Sequence, residues 1–160
     1  MRLKLADERA TLALGGWLAE CLAERSGLAL LLEGPLGSGK TTLVRGLTRV
    51  LPGGDQAEVA SPSFNIVNIY PTTPEVAHFD LYRLEGSPPG EEYEEWLDMP
   101  GAVVAVEWAE YLNPGLLPDD RLTLRWVEPL DGGRLVEIAA RGEAAEACLK
   151  RLAERVNEQA

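Results

Sequence analysis

The chain has 160 residues, enough for one domain that buries about 70% of the surface its unfolded form exposes, so folding requires neither a metal nor a disulfide. Fifteen Lys and Arg stand against 26 Asp and Glu, a net charge of −11, which disfavours direct binding to a nucleic-acid backbone or an anionic membrane and makes a protein the expected large partner. The two cysteines, Cys21 and Cys148, form no disulfide framework, the charges in 1–8 interrupt any signal peptide, and no run approaches the ~18 apolar residues of a membrane span, so a cytoplasmic protein is expected.

After a short leader, Asp7 is placed to cap a helix in which Leu14, Trp17, Leu18, Cys21 and Leu22 repeat every three or four residues, ending near Ser26-Gly27. Residues 28–32 are a short apolar run, the pattern of a central strand covered on both faces, and Gly34 stops it. A glycine-rich loop follows, then a helical stripe of Leu43, Leu47, Val50 and Leu51 that stops at Pro52-Gly53-Gly54. A strand is expected over 64–70 and a second over 75–82. Period-two geometry in the second puts Val76, His78, Asp80 and Tyr82 on one face and Ala77, Phe79 and Leu81 on the other.

The acidic stretch 86–98 reads as a loop and a short polar helix carrying Tyr93, Trp96 and Leu97, its charges a solvated face. Residues 102–106 form another apolar strand, which delivers Glu107 at its carboxyl end. Residues 121–127 and 134–140 alternate around Asp131-Gly132-Gly133, which predicts a solvated antiparallel hairpin at the sheet edge. A closing helix begins near Glu143 with Cys148, Leu149, Leu152 and Val156 on one side.

The chemistry concentrates in Gly34-Pro35-Leu36-Gly37-Ser38-Gly39-Lys40-Thr41, a P-loop. Its glycines let backbone N–H groups and the following helix N-terminus surround phosphate oxygens; Lys40 reaches the β- and γ-phosphates, and Thr41 offers its hydroxyl to magnesium. Such a site needs a carboxylate at the end of a second apolar strand, and Glu107 stands in that place, the alternative being a glutamate that merely ends a strand. Asp80 is a second carboxylate suited to orienting water or a switch segment. His78, the one histidine, reads as a satisfied structural residue. Ser61-Pro62-Ser63-Phe64 is either a switch segment sensing the γ-phosphate or a turn that starts a strand. Trp108 either contacts a ligand or partner or packs behind a core strand.

Several segments together resemble one family, the bacterial ATPase TsaE (also called YjeE) of the tRNA threonylcarbamoyladenosine modification system. They are Asp7-Glu8-Arg9-Ala10-Thr11-Leu12, the P-loop continuing into Thr42, Ser61-Pro62-Ser63-Phe64, His78-Phe79-Asp80-Leu81-Tyr82-Arg83-Leu84, Val106-Glu107-Trp108 and Leu117-Pro118-Asp119-Asp120. The resemblance implies an α/β P-loop NTPase-like fold over 1–160, with ATP and magnesium bound. It also implies slow intrinsic hydrolysis and function only with the proteins TsaB and TsaD, tRNA being reached through that complex. Carried onto matching positions, Lys40 and its loop neighbours Gly34, Gly37, Ser38, Gly39 and Thr42 hold phosphate, Thr41 and Glu107 serve magnesium, and Asp80 supports hydrolysis. Ser63 and Trp108 fall in switch-like segments, and Thr11 and Arg134 are similar to residues the family brings to the nucleotide. Pro35 departs from the family's acidic residue, and Ser63 replaces a more usual threonine but keeps the hydroxyl.

These readings converge on a P-loop ATPase whose mainly parallel sheet is flanked by helices and carries an antiparallel hairpin at its edge, acting as an accessory to tRNA modification. The competing class is a small-molecule kinase using the same loop, which would need arginines to clamp the moving phosphoryl group; Arg83, Arg121 and Arg125 are scattered.

Overall fold

The computed structural model describes residues 1–25, 27–62, 64–127 and 133–158. Seven strands form one sheet: β1 (Arg2–Leu5), β2 (Ala29–Glu33), β3 (Val67–Tyr70), β4 (Val76–Asp80), β5 (Val103–Glu107), β6 (Arg121–Val127) and β7 (Arg134–Arg141). Their spatial order is β1-β7-β6-β2-β5-β4-β3. The middle four, β6, β2, β5 and β4, are mutually parallel, and the outer pairings are antiparallel.

Four helices flank the sheet: α1 (Glu8–Ala23), α2 (Lys40–Val50), α3 (Glu91–Asp98) and α4 (Glu143–Glu158). Because β2 is covered on both faces, its apolar run splits by period two. Leu30 and Leu32 join Leu14, Leu18, Leu43, Leu47, Cys148 and Leu152 in the core beneath α1, α2 and α4. Ala29 and Leu31 face the opposite layer with Phe79, Val104, Val106 and Tyr93 of α3. The alternating residues of β6 and β7 give their apolar faces to the first of these cores through Leu122, Leu124, Val136 and Ile138. Cys21 and Cys148 are both buried free thiols there, Cys21 Sγ lying 3.9 Å from the Cys148 carbonyl oxygen.

Several expected boundaries move. The leader is a strand: β1 pairs with β7, covering a hydrogen-bonding edge the hairpin would otherwise leave open, so the hairpin lies one strand in from the margin. Helix α1, capped by Asp7 through Ala10 N–H at 2.9 Å, ends at Ala23 rather than near Gly27. In α2 the buried stripe takes Val44 instead of Val50, which is 57% exposed at the last turn. Strand β3 starts at Val67, because only four residues of β4 oppose it; Phe64, expected in the strand, is 90% exposed. The hairpin turn at 131–132 lies outside the described residues.

Two helical glycines set the distance between α1 and α2. A Cβ on Gly15 would lie 2.2 Å from the Leu43 carbonyl oxygen, and one on Gly46 would lie 2.2 Å from the Leu12 carbonyl oxygen. Backbone therefore meets backbone at this crossing, which brings Thr11 of α1 against the P-loop that opens α2.

Candidate functional site

Parallel pairing carries the carboxyl ends of β4, β2, β5 and β6 to one edge of the sheet, the usual place for a ligand in an α/β fold. The loop from Gly34 to Gly39 leaves β2 there and enters α2. Ser38 N–H closes a turn on the Pro35 carbonyl at 3.2 Å, and Leu43 N–H reaches the Gly39 carbonyl at 2.9 Å. The first-turn N–H groups of Lys40, Thr41 and Thr42 precede any intrahelical acceptor, so the positive end of the helix dipole faces the edge. Gly39 has φ 117°, a conformation that favours glycine, and a Cβ there would sit 3.3 Å from Arg134 Nη1 and 3.5 Å from Thr11 Cγ2.

Lys40 is only 4% exposed. Its ammonium donates to the carbonyls of Gly34 (2.6 Å) and Pro35 (3.0 Å) and lies 4.2 Å from the Trp108 ring centre. Burial pulls this ammonium below the ordinary lysine range, and the negative charges of Glu107, Glu110 and Asp80 oppose the pull. Glu110 also approaches the loop directly, accepting from Gly34 N–H at 3.4 Å.

Glu107 ends β5 and is 3% exposed. Its Oε1 accepts from the Thr41 hydroxyl at 2.8 Å and lies 2.8 Å from His78 Nε2. The other ring nitrogen of His78 is 2.9 Å from the Tyr70 hydroxyl, which also donates to the Ala60 carbonyl at 3.1 Å. His78 is thus buried and fully partnered, in keeping with its structural reading, and it holds the Glu107 carboxylate from behind. Asp80 is paired with Glu107 in the β4–β5 register, its two oxygens accepting from Tyr82 N–H at 3.0 Å and from the Ser61 hydroxyl. Trp108 follows with φ 59°, unusual for a bulky residue, its ring 4.8 Å from Tyr82 and stacked on Tyr111 at 5.8 Å.

A cleft of about 180 Å³ gathers Gly37, Ser38, Gly39, Lys40, Thr41, Thr42, Asp80, Glu107, Trp108 and Arg134. Two expected ligands stand apart. Gly34 lies at the base of the loop. Thr11 is fully buried behind Gly39, its hydroxyl turned back to the Asp7 carbonyl at 3.3 Å and its methyl toward the loop. Ser63 lies outside the described residues. Tyr70 and Glu110 escaped sequence reasoning: Tyr70 looks like any strand aromatic until the β3–β4 register sets it beside His78, and Glu110 follows a turn whose direction the sequence does not specify. Chemically, the N–H groups and Lys40 form a donor set for phosphate oxygens. Thr41 and Glu107 form an oxygen pair suited to a hard divalent cation.

Against known proteins, residues 5–136 match the family model described as threonylcarbamoyl adenosine biosynthesis protein TsaE. The tRNA threonylcarbamoyladenosine biosynthesis protein TsaE of Nostoc sp. is 42% identical over 115 residues, 68% of this chain and 68% of that protein. The protein of the same name from Synechocystis sp. is 43% identical over 118 residues (70% and 72%), and that from Haemophilus influenzae is 32% identical over 142 (85% and 87%). The crystal structure of Bacillus subtilis YdiB superposes with a TM-score of 0.74 at 25% identity, covering 97% of this chain and 95% of the other. With an α/β P-loop architecture and a family match that spans both the loop and the two strand-end carboxylates, this chain belongs to the TsaE family of threonylcarbamoyl adenosine biosynthesis proteins.

Proposed function

We propose that this protein binds magnesium-ATP in the cleft and hydrolyses it slowly, as a cytoplasmic accessory of tRNA threonylcarbamoyladenosine modification that works with TsaB and TsaD. The observation that carries the reading is the meeting of Thr41 and Glu107, 2.8 Å apart, beneath a P-loop whose lysine is buried and turned onto loop carbonyls. That pair matches the way magnesium is held beside nucleotide phosphates, by one or two protein oxygens. Bound magnesium-ATP supplies the phosphoanhydride bond and neutralises charge at its β- and γ-phosphates.

The rest is the work of this chain. Loop N–H groups and Lys40 hold phosphate oxygens, Thr41 and Glu107 hold the cation, and His78 keeps the carboxylate aimed. Asp80, fixed by Tyr82 N–H and Ser61, has lone pairs left to accept a hydrogen bond from the attacking water. Hydrolysis is favoured over transfer to a metabolite because Arg134 alone among the described arginines lines the cleft, where a phosphoryl clamp needs several. Arg125 binds Glu33 at 2.7 Å, Arg121 donates to the Pro118 carbonyl, and Arg83 stacks on Phe64. The net charge of −11 supports tRNA contact through the partners rather than by this chain alone. Among the described residues no helix is long and apolar enough to cross a membrane.

The test is phosphate release from magnesium-ATP by the purified protein, alone and with TsaB and TsaD, beside Lys40→Ala and Glu107→Ala. Slow release that the partners accelerate and both substitutions abolish is expected. Release unaffected by either substitution would refute the site, and partners that neither bind nor change the rate would refute the accessory role.

A further inference from the structure

Among the described residues, three buried side-chain atoms able to hydrogen-bond have no partner: Ser38 Oγ, Trp126 Nε1 and Arg134 Nη1. All three residues line the same cavity, about 240 Å³ in volume, on the β6–β7 side of the P-loop. Buried polar groups are nearly always paired, so three orphans on residues that line one cavity point to a ligand that completes them there. Ser38 and Arg134 already belong to the nucleotide cleft; Trp126 has entered none of the chemistry above.

Trp126 is held firmly. It sits near the carboxyl end of β6, 5% exposed, and a Cβ on Gly34 would come within 2.9 Å of its own Cβ, so the loop rests directly on it. Its indole nitrogen lies 3.7 Å from where a Gly39 Cβ would stand, the same point that is 3.3 Å from Arg134 Nη1. Indole N–H and guanidinium are donors only, so the group that satisfies both must be an acceptor, which excludes a cation and fits a phosphate or ribose oxygen.

The cleft also has a direction. Its Asp80 and Trp108 end opens into a third cavity lined by Phe64 and Tyr82, whereas Ser38 and Arg134 open into the cavity of Trp126. Terminal phosphates belong with the carboxylates, so the nucleoside end leads toward Arg134.

We propose that Trp126 is a nucleotide-contacting residue: its indole N–H, beside the Arg134 guanidinium, donates to an oxygen at the α-phosphate and ribose end of the bound nucleotide. This rests on the nucleotide reading of the cleft. Trp126→Phe keeps the packing ring and removes the donor. Calorimetric titration with magnesium-ADP should then show affinity about tenfold weaker than the parent's, as for loss of a hydrogen bond to a charged group, while magnesium-pyrophosphate binds within about twofold of the parent.

ADP affinity unchanged in the variant would overturn the proposal, water then being the partner of the indole. An equal loss for pyrophosphate would also overturn it, because the contact would lie at the terminal phosphates. If the variant does not fold, the Trp126 indole ¹H–¹⁵N resonance of the parent decides: a shift with ADP and none with pyrophosphate supports the contact, and no shift with ADP sinks it. Failure of the parent to bind either ligand would instead strike the nucleotide reading itself.

Discussion

Replacing Gly46 by alanine sets two effects of opposite sign against each other. Alanine is the better helix former by about 1 kcal/mol, so propensity alone predicts a more stable α2. The new methyl, however, would stand 2.2 Å from the Leu12 carbonyl oxygen and 2.8 Å from both the carbonyl carbon and Cα of that residue. These are backbone atoms of α1, which cannot swing aside, so the whole helix must retreat by about 1 Å to restore ordinary contact. Overpacking of this kind costs about 3 kcal/mol at the upper end of its usual range, leaving a net loss of about 2 kcal/mol. In a chain of this length that lowers Tm by about 4–8 °C. Gly16→Ala is the matched control. Its methyl meets Val50 Cγ1 at 3.3 Å, on a half-exposed side chain, and the Gly46 carbonyl oxygen at an ordinary 3.9 Å, so this variant should melt at or above the parent temperature. Thermal unfolding followed by circular dichroism compares the two. A Gly46→Ala protein as stable as Gly16→Ala would refute the backbone-contact account of the α1–α2 crossing.

Glu107→Gln keeps the shape of the side chain but removes its charge; nucleotide affinity should lose its dependence on magnesium and phosphate release should fall at least about a hundredfold, as seen by titration with and without the metal. Tyr70→Phe strips the hydroxyl that meets His78, leaving the buried His78 Nδ1 unpaired while Asn68 still donates to the Ala60 carbonyl, and should cost about 1–3 kcal/mol in urea unfolding with little change in ADP affinity. The third concerns pH. Because burial lowers the Lys40 pKa, the unfolded chain binds more protons than the folded one between that lowered value and the ordinary lysine value of 10.5, so stability rises with pH across this window. Below pH 10, before the raised phenols of Tyr70 and Tyr93 oppose it, the rise should be smaller in Lys40→Met than in the parent when urea midpoints are compared.

Local signals determined a great deal about this protein. The spacing of glycines, Lys40 and Thr41 defines the phosphate loop without reference to the rest of the chain, because a backbone cradle needs only a few consecutive residues. Asp7 announces the start of α1 for the same reason, since its carboxylate bonds to an N–H three residues away. The apolar run ending in Glu107 exposes a strand-end carboxylate by period and length alone. What tertiary structure decided is everything that depends on which strand lies beside which. Pairing Val76–Asp80 with Val103–Glu107 sets Asp80 opposite Glu107, and the β3–β4 register puts Tyr70 behind His78. The leader becomes a strand only because β7 offers it an open edge. The contacts of Gly15 and Gly46, like the approach of Trp126 to the P-loop, join residues distant along the chain; no local pattern encodes them, because what selects them is the space left between backbones once the sheet and helices have packed.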